Sequence, residues 1–421
     1  MTRSTPVVTA PFVVVGIGAD GWDGLSDNAR RELRSATNIF GSARQLDLLP
    51  GLDATVTAWT SPMSLHLADV LNAPPADTIH ILASGDPMFH GVGATISTAV
   101  GRENVHVIPA VSSASLAAAR LGWDLSTTTV HSLVSDPVGS LTSTLSDGLR
   151  VLVLSRDRST PAAVAEHLCD NGFGWSSMTV LEHLGGDRER IDAGIARHWD
   201  DHTVGDDLNV IAIDCIGPAR SAAPGRPDSE YDHDGQLTKA TIRAVTISAL
   251  RPAPGQLLWD VGGGAGSIAI EWLRTHRSCR AIVFESDARR RERIADNAVR
   301  HGVDRALTVR GEAPDAYDTA PDPDAVFIGG GLTGRGVLAG AWHALVEGGT
   351  LVANAVTIES EAVLLRWQGS VGGSVQRLRV EEPAAVGGMT AWRSGLPITQ
   401  WSVSKARTPD DQRTPTPAEP T

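Results

Sequence analysis

Short apolar runs at 12–15, 78–83, 105–108, 151–154 and 209–213 each end at glycine, proline or a polar residue. Runs of that length predict buried strands. Between them, 26–36, 92–100 and 161–171 carry apolar residues at helical spacing, and Pro161 sits where a first turn tolerates it. The second half alternates more cleanly. Strands are expected at 257–261, 281–285, 307–310, 325–328 and 350–353, and helices at 267–275, 288–301, 336–345 and 359–367. Such alternation predicts right-handed crossovers and parallel sheets with helices on both faces. No repeated word links the halves, so two different α/β domains are expected, over 10–216 and 232–404. Residues 217–231, rich in small residues, proline and glycine, read as a linker, and 406–421 as a disordered tail.

Composition narrows the class. The chain has 421 residues, 42% of them hydrophobic, enough for real cores in two or three domains. Thirty-six basic against 49 acidic residues leave a net charge of −13, which disfavours a nucleic-acid binder. It does not exclude an acidic small molecule held by local cations. Three widely spaced cysteines form no CxxC pair, so neither a disulfide framework nor a thiolate metal site is expected. The N-terminal stretch lacks the apolar core of a signal peptide, and no apolar window has membrane-spanning length, so a cytoplasmic protein is expected.

The strongest local signal follows the 257–261 strand. Asp260, Gly262, Gly264 and Gly266, with Gly263 and Ala265 between them, spell DxGxGxG and open directly into a helix. Glycines let a backbone turn tightly and approach a ligand, and a helix N-terminus presents unpaired N–H groups. The dinucleotide spacing GxGxxG fails here, because Ser267 stands at its last glycine. The next strand ends in Glu285, placed to hold a ribose diol, and Gly311 and Ala313 form a small-residue turn after the third. In the first half, Gly16, Gly18 and Gly21 do spell GxGxxG. There the following helix starts only near Ser26 and the second strand ends without an acid, so the match is weak.

The DxGxGxG loop with Glu285 resembles the Rossmann-like class of S-adenosylmethionine-dependent methyltransferases. The first half carries Gly16 and Gly18, then Gly85, Asp86 and Pro87 before Gly91 and Val92, then Ser112 and Ser113 after a Pro-Ala-Val. That series resembles the tetrapyrrole methylases, in which two small α/β lobes hold the same cofactor in a cleft. Further words include Gly41 to Arg44, Glu182 to Gly186, Thr238 to Arg243, and Gly329 to Gly331. Together they resemble the fused two-domain methyltransferase-decarboxylases of aerobic cobalamin biosynthesis.

That resemblance implies one S-adenosylmethionine per domain and precorrin-6Y as the acidic substrate. It implies methylation of carbon 5 by the first domain, with carbon 15 methylation and decarboxylation of the ring-C acetate by the second. It adds Thr238 beside the amino-acid end of the cofactor and Ala313 at adenine. Where relatives carry an arginine after the strand near His131, this chain has Ser135 and Asp136, so no substrate role falls on that loop. Lys239, Arg243 and Arg335 flank the cofactor loop and the triglycine edge, and are the candidates for substrate carboxylates. A metal is not called for: His198 and His202 lack a third ligand. A homo-oligomer is expected. The competing readings are an NAD-linked oxidoreductase using the first glycine loop, and a non-catalytic cofactor or tetrapyrrole sensor.

Overall fold

A computed structural model describes residues 11–72, 77–202 and 205–406. The expected tail at 407–421 lies outside them. The chain divides into two units: one runs to 138 and resumes over 144–219, the other takes 139–143 and the residues from 220 onward.

The first unit holds two five-stranded sheets. One consists of β1 (Phe12–Ile17), β2 (Asn38–Gly41), β3 (Thr55–Ala58), β4 (Ile79–Ser84) and β5 (Val105–Ile108), in the order β3-β2-β4-β1-β5. All its pairings are parallel. β1 is an interior strand buried on both faces. Val13, Val15 and Ile17 pack with Leu25, Leu33 and Ile39 on one side. Phe12 and Val14 meet Ile81 and Ile96 on the other. This is why the strand reads as one continuous apolar run rather than an alternation.

The second sheet corrects the expectation of parallel strands throughout. It contains β6 (Thr128–Ser132), β7 (Arg150–Leu154), β8 (Ser177–Glu182), β9 (Arg190–Ile195) and β10 (Asn209–Asp214), ordered β6-β7-β10-β8-β9. Only β6 and β7 pair in parallel; the other three pairings are antiparallel. The connection between β8 and β9 is too short for the crossover that parallel neighbours need. β9 is a largely exposed edge strand, so no apolar run marks it.

The second unit is built on one sheet of seven strands. β11 (Leu257–Val261), β12 (Arg280–Phe284), β13 (Leu307–Arg310), β14 (Ala325–Ile328) and β15 (Thr350–Ala355) are parallel in the order β13-β12-β11-β14-β15. Beyond β15 the sheet turns antiparallel with β19 (Ile398–Ser404) and β16 (Ser374–Leu378). Between these two in sequence, β17 (Glu381–Val386) and β18 (Met389–Ser394) form a separate hairpin. The buried Trp259 and Trp401 anchor one face of the large sheet, and Trp272 the other. The order reverses between β11 and β14, which opens a crevice at the strands' carboxyl ends.

Residues 220–231, part of the expected linker, pack into this second unit. The N–H groups of Gly225 and Arg226 donate to the buried Glu271 carboxylate, and the Tyr231 hydroxyl does the same.

Candidate active sites

In the second unit, the glycine loop leaves β11 at the reversal point and enters the helix Ser267–Thr275. Gly262, Gly264 and Gly266 all have positive φ, a region L side chains avoid. A Cβ on Gly262 would stand 2.6 Å from the Gly330 Cα, so the loop lies directly against the triglycine edge after β14. A Cβ on Gly264 would stand 2.7 Å from the Gln236 carbonyl oxygen. Gly263 packs on Val283, and Ala265 is buried. These glycines are therefore required by the packing of the protein on itself, besides any ligand.

Asp260 and Glu285 stand at neighbouring strand ends, 1% and 5% exposed. The Glu285 Oε2 accepts from the Gly264 N–H at 2.8 Å and fixes the loop. The Asp260 Oδ2 accepts from the Ala269 N–H at 3.1 Å, in the first turn of the following helix. Burial pushes the Asp260 carboxyl up to about 7, with the Glu285 charge adding to the shift and the Ala269 N–H opposing it. Neither acid has an ion-pair partner among the described residues. A cationic ligand group would relieve both, which suits a sulfonium or ammonium. Gly266 supplies no side-chain cap to this helix, and the Asp260 carboxylate takes a first-turn N–H in its place.

The other predicted residues of this unit divide sharply. Gly311 is exposed and a Cβ there would meet nothing within 4 Å. Ala313 packs at the edge of the core cluster that holds Trp259. Thr238 presents its carbonyl to Arg243. Lys239 pairs with Asp228 at 3.2 Å, and Arg335 is exposed beyond the triglycine edge. Arg243 corrects the expectation of a substrate cation. It is 0% exposed, bonds the Glu271 carboxylate at 2.5 Å, and also reaches Asp228 and the Arg226 carbonyl. A guanidinium so enclosed serves the fold.

In the first unit, a cleft of about 430 Å³ lies between the two sheets. Gly18, Gly85, Gly91, Val92 and Ser113 line it. Four predicted residues stand behind that lining. A Cβ on Gly16 would meet the Gly85 carbonyl oxygen at 2.2 Å. Asp86 caps its own turn by accepting from the Met88 N–H. Pro87 packs beneath Gly91 and Gly93. Ser112 is the N-cap of the helix Ser113–Leu121, accepting from the Ser115 N–H. The first helical turn after β1 is Gly21–Gly24, and the longer helix Asp27–Ser35 begins only after the Ser26 cap. A dinucleotide loop would feed its helix directly.

The cleft also holds polar groups that sequence reasoning missed: Arg44, Gln45, Ser155, Arg156 and Asn209. Arg156 reaches the loop where an arginine was wanting. Its guanidinium donates to the carbonyls of Val134 and Asp136, at 3.3 and 2.9 Å. Arg44 sits in a word already noted for its resemblance, so a signal existed. Asn209 begins a strand and carried none.

Both units match known proteins. A family model described as tetrapyrrole (corrin/porphyrin) methylases matches residues 11–196, and a precorrin methyltransferase domain matches 229–405. A protein of Mycobacterium tuberculosis named precorrin-6Y C(5,15)-methyltransferase [decarboxylating] is 48% identical over 400 residues, covering 94% of this chain and 100% of the relative. The chain belongs to the precorrin-6Y C5,15-methyltransferase family. A Sinorhizobium member of the same name is 42% identical over 411 residues, covering 96% of this chain and 99% of its own. A probable cobalt-precorrin-6B C(15)-methyltransferase (decarboxylating) of Pyrobaculum calidifontis is 35% identical over 155 residues, 36% of this chain and 80% of that protein. The chain is thus a C-methyltransferase that uses S-adenosylmethionine, as its family does. Among the described residues, no helix is long and apolar enough to cross a membrane.

Proposed function

We propose that this chain methylates precorrin-6Y at carbons 5 and 15 and removes the carboxyl of the ring-C acetate, giving precorrin-8X. The first domain (10–216) serves carbon 5, and the second (232–404) serves carbon 15 and the decarboxylation. Each domain binds its own S-adenosylmethionine. The observation that carries the reading is the contact of Gly262 with Gly330, which sets the cofactor loop against an edge free of side chains. A flat, bulky macrocycle could approach the methyl donor there.

S-adenosylmethionine, when bound, would supply an electrophilic methyl group from its sulfonium. The chain's part is alignment and exclusion of water. Glu285 holds the loop, Asp260 lies buried beneath it, and the glycine edges leave the approach open. The macrocycle is itself the electron sink for the departing carbon dioxide, so the chain needs only to orient the acetate.

The test uses the full chain with precorrin-6Y and S-adenosylmethionine, read by mass spectrometry and carbon dioxide release. Gly264→Val should abolish carbon dioxide release, while Gly85→Val, in the first cleft, should leave it intact and remove the other methylation. S-adenosylhomocysteine should titrate two sites in the natural chain and one in each variant. Carbon dioxide release that survives Gly264→Val would overturn the division of labour.

Copies of the chain associate in this reading. Support comes from the β17–β18 hairpin, which exposes Val386, Met389 and Trp392 on a two-stranded ribbon that is marginal by itself in water. A monomer in sedimentation analysis at micromolar concentration would refute the association.

A further inference from the structure

Arg44 stands apart from the other charged groups lining the first unit's cleft. Asp207 is held by Arg158 through two contacts of 2.7 and 2.9 Å. Arg156 is occupied by two carbonyls. Arg44 is half-buried and, among the described residues, donates only to the Ser84 hydroxyl, at 2.9 Å. No carboxylate pairs with it among the described residues. Burial lowers its pKa from the ordinary arginine value, and no acidic neighbour offsets the shift. Gln45 also donates to the Ser84 hydroxyl, at 3.1 Å, so two side chains share one oxygen. The capping box of Ser42 and Gln45 fixes this short turn at the end of β2, and with it the place of Arg44.

The cleft wall facing this turn carries polar groups that the protein leaves unpaired. The Oδ1 of Asn209, a residue only 7% exposed, has no hydrogen-bond partner, and neither has the buried Ser155 Oγ. Both residues line the same cleft as Arg44. Native proteins rarely leave such atoms unmatched, and the exceptions are met by a water or ion or mark a functional site. Arg44 is thus a half-buried guanidinium without an acidic partner among the described residues.

We propose that Arg44 is a specificity-determining residue that binds a carboxylate arm of the acidic tetrapyrrole in the first unit. The inference rests on reading that unit as the carbon-5 methyltransferase. A guanidinium fits a carboxylate with two parallel N–H donors, a geometry that lysine lacks. Ser84 is a positioning residue, since its hydroxyl holds the Arg44 fork from behind. The amino-acid end of the cofactor is the other carboxylate that could enter this cleft, so the experiment separates the two sources.

Full-length Arg44→Met and Arg44→Lys are compared with the natural chain. Arg44→Met should raise the KM for carbon-5 methylation about tenfold or more, a loss of about 1.4 kcal/mol. Arg44→Lys should recover part of it. Carbon dioxide release from the same chain should be unchanged, as should S-adenosylhomocysteine affinity. The melting temperature should change little, because the hydrogen bond that Arg44 gives the fold, to the Ser84 hydroxyl, is an exposed one. Titration with uroporphyrin, a macrocycle bearing acetate and propionate arms, tests Arg44 without turnover, so it still decides if carbon 5 proves not to be this unit's target. A lowered S-adenosylhomocysteine affinity with unchanged macrocycle binding would reassign the site to the cofactor's carboxylate and overturn the substrate role. Unchanged binding of both ligands, or a lower melting temperature with normal KM, would overturn the proposal outright.

Discussion

Replacing Arg243 with methionine keeps most of its volume and removes its charge. The side chain then no longer reaches the Glu271 carboxylate at 2.5 Å, Asp228 at 3.2 Å, or the carbonyls of Thr238 and Arg226. Glu271, 3% exposed, would keep its bonds from Gly225, Arg226 and Tyr231 but lose its counter-ion. Breaking a buried pair from one side costs about 3–5 kcal/mol. For a unit of this size each kcal/mol lowers the melting temperature by about 2–4 °C, so a fall of roughly 6–20 °C is expected. Calorimetry on the full chain should show it in the transition of the second unit alone, provided that the two units melt separately. Because the remaining lone charge is the main cost, adding Glu271→Gln should return part of the loss. Measured well below the new transition, the KM for precorrin-6Y should stay within about twofold, since the Arg243 side chain is fully buried and its donors are taken by Glu271, Asp228 and two backbone carbonyls. A raised KM with a melting temperature moved by less than about 2 °C would refute this reasoning and return Arg243 to the substrate.

Two further outcomes follow from the second unit's site. Asp260 has its folded pKa raised to about 7, above its unfolded value, so the folded state holds the proton more tightly. Its contribution is therefore present at acidic pH and is lost as pH rises through about 7. Asp260→Asn should remove that component, on the order of 4 kcal/mol between pH 4 and 7, and the melting temperature of the variant minus that of the natural chain should rise over the same window. A difference independent of pH would show that Asp260 is not protonated in the fold. Gly311→Val should leave the melting temperature within about 2 °C, because a Cβ there meets nothing within 4 Å. If Gly311 belongs to the cofactor site, calorimetric titration should find S-adenosylhomocysteine about tenfold weaker at the second unit; unchanged affinity would remove Gly311 from the site.

The cores of the parallel sheets were readable because strands buried on both faces are uniformly apolar. β11 and β14 are cases in which the pattern locates the element to the residue. β9 and the β17–β18 hairpin were not readable, because edge and exposed strands lack that composition. The same limit applied to the sites. A glycine that turns a loop announces itself, so Gly262, Gly264, Gly85 and Gly91 could be named from the chain alone. Arg243 could not be separated from Lys239, four residues before it on the same segment: one points into the fold and the other pairs at the surface.

By itself the sequence determined the class of each domain, the places where backbone must turn tightly, and the family to which the whole belongs. These depend on local chemistry: apolar runs, helix caps and residues without side chains act where they stand in the chain. Only the tertiary structure decided which charges are compensated. Arg44, Arg156 and Arg243 are alike as letters. One lacks an acid, one is bound by two carbonyls, and one is buried on Glu271. That difference comes from partners as many as 40 residues away for Arg44 and 28 for Arg243. The worth of a charge depends on its desolvation and on what lies within a few ångströms of it, and neither is set until the chain has folded.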